Sequence, residues 1–189
     1  IMNETGLDRI NISTTAEIIN CIKLKNGKIS TNMGIPKINW EEIPLSKECD
    51  TASLPIDGNP VATSMGNPHC TFFVDNLNNF SISEIGKKTE IHPLFPKRTN
   101  VQIAQVIDLE TIKVKVWERG SGETLASGSS ACAVTFAARR LNLIKDSIKI
   151  ILDGGFVNVQ CRNDGIWLSG NIKYVFSGKI SSSFFDELE

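Results

Sequence analysis

The chain carries two histidines and one tyrosine in 189 residues, and none of its cysteines forms a Cys-x-x-Cys pair. The five cysteines, Cys21, Cys49, Cys70, Cys132 and Cys161, are scattered and odd in number. With so few histidines beside them they argue against a zinc site, and no metal is expected. An excess of one charge is missing too: 20 Lys and Arg face 21 Asp and Glu. That balance gives neither nucleic acid nor an anionic membrane a reason to bind. No apolar run reaches the length of a membrane span, and the opening Ile1-Met2-Asn3-Glu4 is not a signal peptide. A reducing cytoplasm is the expected compartment. What is present, 41% hydrophobic residues, suits the core of one domain or one and a fraction. The chain opens on isoleucine in mid-stride, as a piece of a longer protein would.

Period-two alternation predicts strands over residues 8–14, 16–24 and 28–33, with Asn26-Gly27 as the hairpin turn between the last two. Residues 34–57 carry prolines and no sustained period, and read as a segment crossing between two modules. A strand resumes at Val61, and Asn67-Pro68-His69 breaks its ladder because Pro68 has no N–H to donate. Ser81 or Ser83 could cap a helix over residues 84–90. A proline-pinned loop, 92–100, leads into strands over 101–107 and 111–117, joined at Asp108-Leu109-Glu110. Further strands are expected over 148–152, 156–161, 166–169 and 172–180, with turns at Asp153-Gly154-Gly155 and Asn163-Asp164-Gly165. No internal repeat, low-complexity stretch or heptad run is visible.

The most informative stretch runs from Trp117 to Ala133, where a strand passes through three glycines into a helix predicted over 130–143. Small and apolar residues on nearly every side mark that helix for burial, and Cys132 reads as core. Its first turn, Ser127-Gly128-Ser129-Ser130, offers cap residues and backbone N–H groups without helical acceptors, an end that attracts a carboxylate or phosphate. A plain serine-capped turn is the bland alternative. Many short antiparallel strands and one buried helix give the fold class: α+β, a barrel-like mixed or antiparallel sheet wrapped around a central helix.

Three polar clusters sit in loops: Asn67 with His69, Arg98-Thr99-Asn100, and Glu118-Arg119 with Ser127-Gly128-Ser129. Amides, guanidiniums, a carboxylate, an imidazole and a helix end are the set expected around a small zwitterion. Each member also has a structural reading. His69 could be a satisfied, half-buried histidine, Asn67 could shape its turn, and Arg98 and Asn100 could tie down a loop. Glu118-Arg119 could be a surface ion pair worth under ~1 kcal/mol. Spacing alone does not show that the three clusters converge.

Three runs, Met65 to Cys70, His92 to Val101 and Trp117 to Ala126, together resemble the diaminopimelate epimerase family in order and spacing. The resemblance covers essentially the whole chain. It implies an isomerase without cofactor, independent of pyridoxal phosphate, that interconverts LL- and meso-diaminopimelate for lysine, amino-acid and peptidoglycan-precursor synthesis. Two cysteines act from opposite faces of the α-carbon, one removing and one delivering a proton. The implied fold has two similar halves with the substrate between them. Carried over by motif, Asn67, Asn100, Glu118, Arg119, Gly128 and Ser129 match substrate-binding positions, and His69 and Glu118 the pair that tunes the bases. Such a carbanion benefits from N–H groups at a helix end, where a thiol also has a lowered pKa.

Two departures follow from the same resemblance. Ser127 stands where the family has its second catalytic cysteine, and the Cys-Gly run of the first half is absent. Residues 1–40 would then be remnant strands of an N-terminal half, 41–59 a crossing segment, 60–174 the C-terminal domain, and 175–189 a terminal strand returning to the first half and a tail. The chain alone is expected to be inactive. Its expected partners are diaminopimelate and either a second copy or the missing half. Two alternatives stay open: a related one-base racemase or dehydratase-like enzyme, and a non-catalytic binding fragment.

Overall fold

The computed structural model describes residues 1–14, 18–181 and 183–186. In chain order they form α1 (Met2–Thr5), β1 (Arg9–Ser13), β2 (Ile18–Lys23), β3 (Ile29–Asn32), β4 (Val61–Ser64), β5 (Pro68–Phe73) and a 3₁₀ turn (Leu77–Asn79). Then come α2 (Ile82–Glu90), β6 (Asn100–Asp108), β7 (Thr111–Glu118), β8 (Gly122–Thr124) and α3 (Gly128–Arg140). The chain closes with β9 (Ser147–Leu152), β10 (Gly155–Arg162), β11 (Gly165–Gly170) and α4 (Ser183–Asp186). The strands make one mixed sheet in the order β1-β2-β3-β11-β10-β9-β7-β6-β5-β4, with β8 added beside β7. Only β5/β6 and β7/β9 run parallel among these pairs. A parallel pair needs a crossover, and α2 and α3 lie in those two connections.

Helix α3 is the pillar. Ala131, Cys132, Val134 and Ala138 pack on Ile112, Val114, Val116, Ile148, Ile150 and Val159 from the surrounding strands. The α+β reading, a sheet wrapped on one buried helix, holds. The helix starts two residues earlier than its apolar pattern because Ser127, with φ −150°, is the cap and accepts from the Ser130 N–H at 3.5 Å. It stops at Arg140, short of residue 143, because Asn142 turns left-handed at φ 57°. The Leu143 N–H then bonds the Ala138 carbonyl and the Asn142 N–H the Arg139 carbonyl, a Schellman closure that satisfies two terminal acceptors.

Residues 34–60 are not a bare crossing. Ile43, Leu45 and Leu54 form a second core with Ala62, Cys70, Phe72, Leu94, Phe95 and Val101. The sheet is therefore covered on both sides at β4 and β5, which explains why every residue of β4 is buried. The Asn67-Pro68 break is a hairpin: Ser64 faces Pro68, and the proline opens β5 at a position where its missing N–H is tolerated. Ser81 caps α2 by accepting from the Glu84 N–H at 3.3 Å.

Two expectations change. The strand over residues 16–24 is Ile18–Lys23, and Ala16 and Glu17 lie outside the described residues. The strand over 172–180 is not formed: residues 171–181 have no regular structure and are exposed, because this extended stretch finds no strand to pair with. Of the expected 175–189 tail, residues 182 and 187–189 lie outside the described residues. Among the described residues no helix is long and apolar enough to cross a membrane.

Candidate active site

The parallel β5/β6 ladder sets His69 beside Asn100 and Thr71 beside Gln102. The antiparallel β6/β7 ladder sets Val101 against Trp117, which brings the end of β7, Glu118, to the same end of the sheet. All three loop clusters therefore share one end, next to the first turn of α3.

A chain of hydrogen bonds runs through it. The Thr71 hydroxyl donates to Gln102 Oε1 at 3.1 Å, which orients the amide so that Nε2 is the donor. Gln102 Nε2 then donates to His69 Nδ1 at 3.0 Å and to Ser130 Oγ at 2.9 Å. With Nδ1 accepting, His69 is the neutral Nε2–H tautomer, and that N–H donates to Asn67 Oδ1 at 2.9 Å. His69 is fully buried, and burial first, with the Arg119 charge second, lowers its pKa to about 3. The imidazole is a neutral link between the α3 turn and Asn67. Asn67, half-buried, keeps its carbonyl oxygen on His69, so its amide donors are the groups left for a ligand.

The second cluster is joined to the third. Asn100 Nδ2 donates to the Pro68 carbonyl at 2.9 Å, while its Oδ1 accepts from the Arg119 backbone N–H at 3.0 Å. The Arg119 guanidinium donates to the Lys97 carbonyl at 3.1 Å. Glu118 accepts from the Thr124 hydroxyl at 2.8 Å, so the Glu118-Arg119 pair is held by other partners, not by each other. Arg98 behaves as the bland reading had it: it is exposed, and its contact is an ion pair with Glu90 at 3.4 Å. Gly128 and Ser129 are half-buried in the first turn of α3, where a Cβ on Gly128 would come within 3.1 Å of Leu168. Ser127 is nearly buried as its cap.

Sequence reading missed Gln102 and Glu90. Gln102 stands between the apolar Val101 and Ile103, a pattern that suits the outward face of a strand, yet it is wholly buried. Glu90 is the last residue of a short helix, a place that suits a solvated carboxylate. It is buried, accepting from Trp117 Nε1 at 2.6 Å and from the Gly120 N–H at 2.9 Å as well as from Arg98. Burial pulls its pKa up, but the Trp117, Gly120 and Arg98 contacts outweigh that, and its carboxyl lies below the usual carboxylate value. Burial pushes Cys70 up, Cys132 to about 12 and Cys161 to about 11.

A mixed sheet around one buried helix is a fold shared with solved structures. A hydroxyproline epimerase from Agrobacterium vitis superposes with a TM-score of 0.61 at 11% identity, over 92% of this chain and 62% of that one. A phenazine biosynthesis protein from Bacillus anthracis gives 0.58 at 15% identity, over 89% and 67%. At such identities the likeness is one of fold. Sequence goes further: the family description "Diaminopimelate epimerase" matches residues 61–175. The chain is 40% identical to a diaminopimelate epimerase from Acidiphilium cryptum over 97% of its own length and 68% of that protein's. It is 42% identical to one from Pelagibacter ubique over 86% and 64%. The chain belongs to the diaminopimelate epimerase family, a family of isomerases. It spans about two thirds of the length of the curated relatives it matches.

Proposed function

We propose that this chain is the larger, C-terminal part of a diaminopimelate epimerase and supplies one wall of its active site. The single observation that carries the reading is the Asn67–His69–Gln102–Ser130 chain, which ties the first motif to the head of α3 while Asn100 ties the second motif to Arg119. Asn67 and Arg119 present donors suited to a carboxylate. The N–H groups of Gly128 and Ser129 face the end of α3, where developing negative charge on an α-carboxylate is favoured. Glu118, half-buried and held by Thr124, offers the acceptor for an ammonium group.

Inversion at an α-carbon needs one group to remove the proton and another, on the opposite face, to deliver one. By motif, Ser127 occupies the position of one such group. Its hydroxyl is far less acidic than a thiol, and here it accepts from the Ser130 N–H as a cap. His69, with both nitrogens engaged, acts through Asn67, not as a proton carrier. The opposing base belongs to the first half, and residues 1–40 are the strands of that half attached to the sheet through the β3/β11 pairing. The exposed apolar residues of the 171–181 segment, Ile172, Tyr174, Val175, Phe176 and Ile180, fit a strand that completes with the same partner. Five free cysteines suit a reducing cytoplasm.

Calorimetric titration with diaminopimelate and with hydroxyproline tests the substrate, and selective heat with hydroxyproline would overturn this reading in favour of a proline racemase-like one. Exchange of the substrate α-hydrogen in deuterated water tests the chemistry. The chain alone should show none, and exchange at the pace of a complete epimerase would contradict the role given to Ser127.

A further inference from the structure

Glu90 lies outside the three motif positions assigned above, yet its contacts reach two of the three clusters. Its carboxylate accepts from Trp117 Nε1 and the Gly120 N–H, which bracket Glu118 and Arg119, and from Arg98 Nη1, two residues before Asn100. Its own backbone carbonyl accepts from the Thr99 N–H at 3.2 Å. Two loops of the site are thus bolted to the last residue of α2. That helix is itself fixed against β7, since Gly86 packs so closely on Trp117 that a Cβ there would fall 2.4 Å from the indole Cγ. A buried carboxylate that accepts three donors from different segments, two on Oε1 and one on Oε2, is held in a single orientation.

We propose that Glu90 is a positioning residue: the one carboxylate that sets the spacing between the Arg98–Asn100 loop and the Glu118–Gly120 turn, and so the spacing of the groups that take the ends of the substrate. The substrate half of this statement rests on the function proposed above; the structural half does not. The donor set explains why glutamate is needed. A glutamine has a single acceptor oxygen: at the Oε1 position it keeps Gly120 and Arg98 but turns its NH₂ toward Trp117 Nε1, and at the Oε2 position it keeps Trp117 alone, so the Glu118–Gly120 turn loses at least one of its two anchors. Aspartate keeps the charge but is a methylene shorter, so it can hold one loop and not both.

The test uses the full chain, labelled with ¹⁵N, as wild type, Glu90→Gln, Glu90→Asp and Glu84→Gln. Glu84 is on the same helix, exposed and outside the site. Three tryptophans give three indole resonances, so Trp117 can be followed directly. In Glu90→Gln the Trp117 indole and the Gly120 amide should move, and with them the Arg119 amide and the Asn100 side-chain amide, which Glu90 does not touch. Glu84→Gln should move none of these. Arg119 and Asn100 resonances that stay in place in Glu90→Gln would overturn the proposal. If Glu90→Gln gives no cooperative melt, Glu90→Asp carries the same comparison, with the Gly120 and Arg98 sides responding unequally; equal, small responses would overturn it. Titration with diaminopimelate then reads the functional half: affinity should fall about tenfold in Glu90→Gln and stay unchanged in Glu84→Gln. Unchanged affinity in Glu90→Gln would reject that half. A wild-type chain that shows no diaminopimelate-dependent shift refutes the proposed substrate instead, and the Arg119 and Asn100 resonances still judge the positioning role.

Discussion

Two regions of the one sheet are written in the same alternating script and end differently. Around α3, β7 buries Ile112, Val114 and Val116, and β9 buries Ile148, Ile150 and Leu152, each on the face toward the helix. At the far edge, β1 pairs with β2 over five residues in regular register, yet none of its residues is buried and Ile12 and Ile18 stand exposed. Alternation is enough to pair strands. Burial needs a second layer, and among the described residues only the β4–β11 side has one: α3 within and the 43–54 segment without. The site sits in the region with two layers, where rigid packing holds its hydrogen bonds.

That contrast can be broken most forcefully at Ile150. Truncation to alanine leaves a cavity against α3 and should cost about 2–5 kcal/mol in urea unfolding, while Ile12→Ala should stay within about 0.5 kcal/mol. Equal losses would mean that the outer edge shares the core. Next in size is the acid response of the buried network. The folded pKa of His69 is lowered to about 3 from 6.5, so the unfolded chain binds the extra proton between those values. Stability should be fully present above the higher value, fall as pH drops through the window, and be reduced by about 2 kcal/mol at pH 5. His69→Asn should flatten the pH dependence of the melting temperature in that window, and a slope that survives would place the titration elsewhere. Smaller is the cap: Ser127→Ala should cost about 0.5–1 kcal/mol, at the low end because the bond is long. Ser127→Cys should keep the fold and yield a thiol that alkylates faster than Cys132, whose thiol is buried. Equal reactivity would deny the helix end its effect.

Much of this was legible from residue pattern. The helix under the sheet, its serine cap, Cys132 as core, the hairpin at Asn26-Gly27 and the turn at Asp108 all follow from local rules, as the Asp108 side chain accepting from the Glu110 N–H at 2.7 Å illustrates. The motif residues could be named, but not their company. Gln102 and Glu90 have ordinary sequence surroundings, and their burial comes from strands and helices that meet over distances of 27 to 30 residues in the chain. The 34–60 segment has no period because it packs as an irregular lid, with Ile43 and Leu54 wholly buried. The stretch over 172–180 shows the reverse error: a strand pattern without a neighbouring edge makes no ladder.

The sequence by itself determined the α+β class, the pillar helix and the residue types of the site, because hydrophobic periodicity, caps and turns act over a few residues. Only the tertiary structure decided that the three clusters meet, that His69 is a neutral link and that Glu90 bolts two loops together. Those facts depend on which strands lie side by side and on the desolvation that follows, and neither is a local property of the chain.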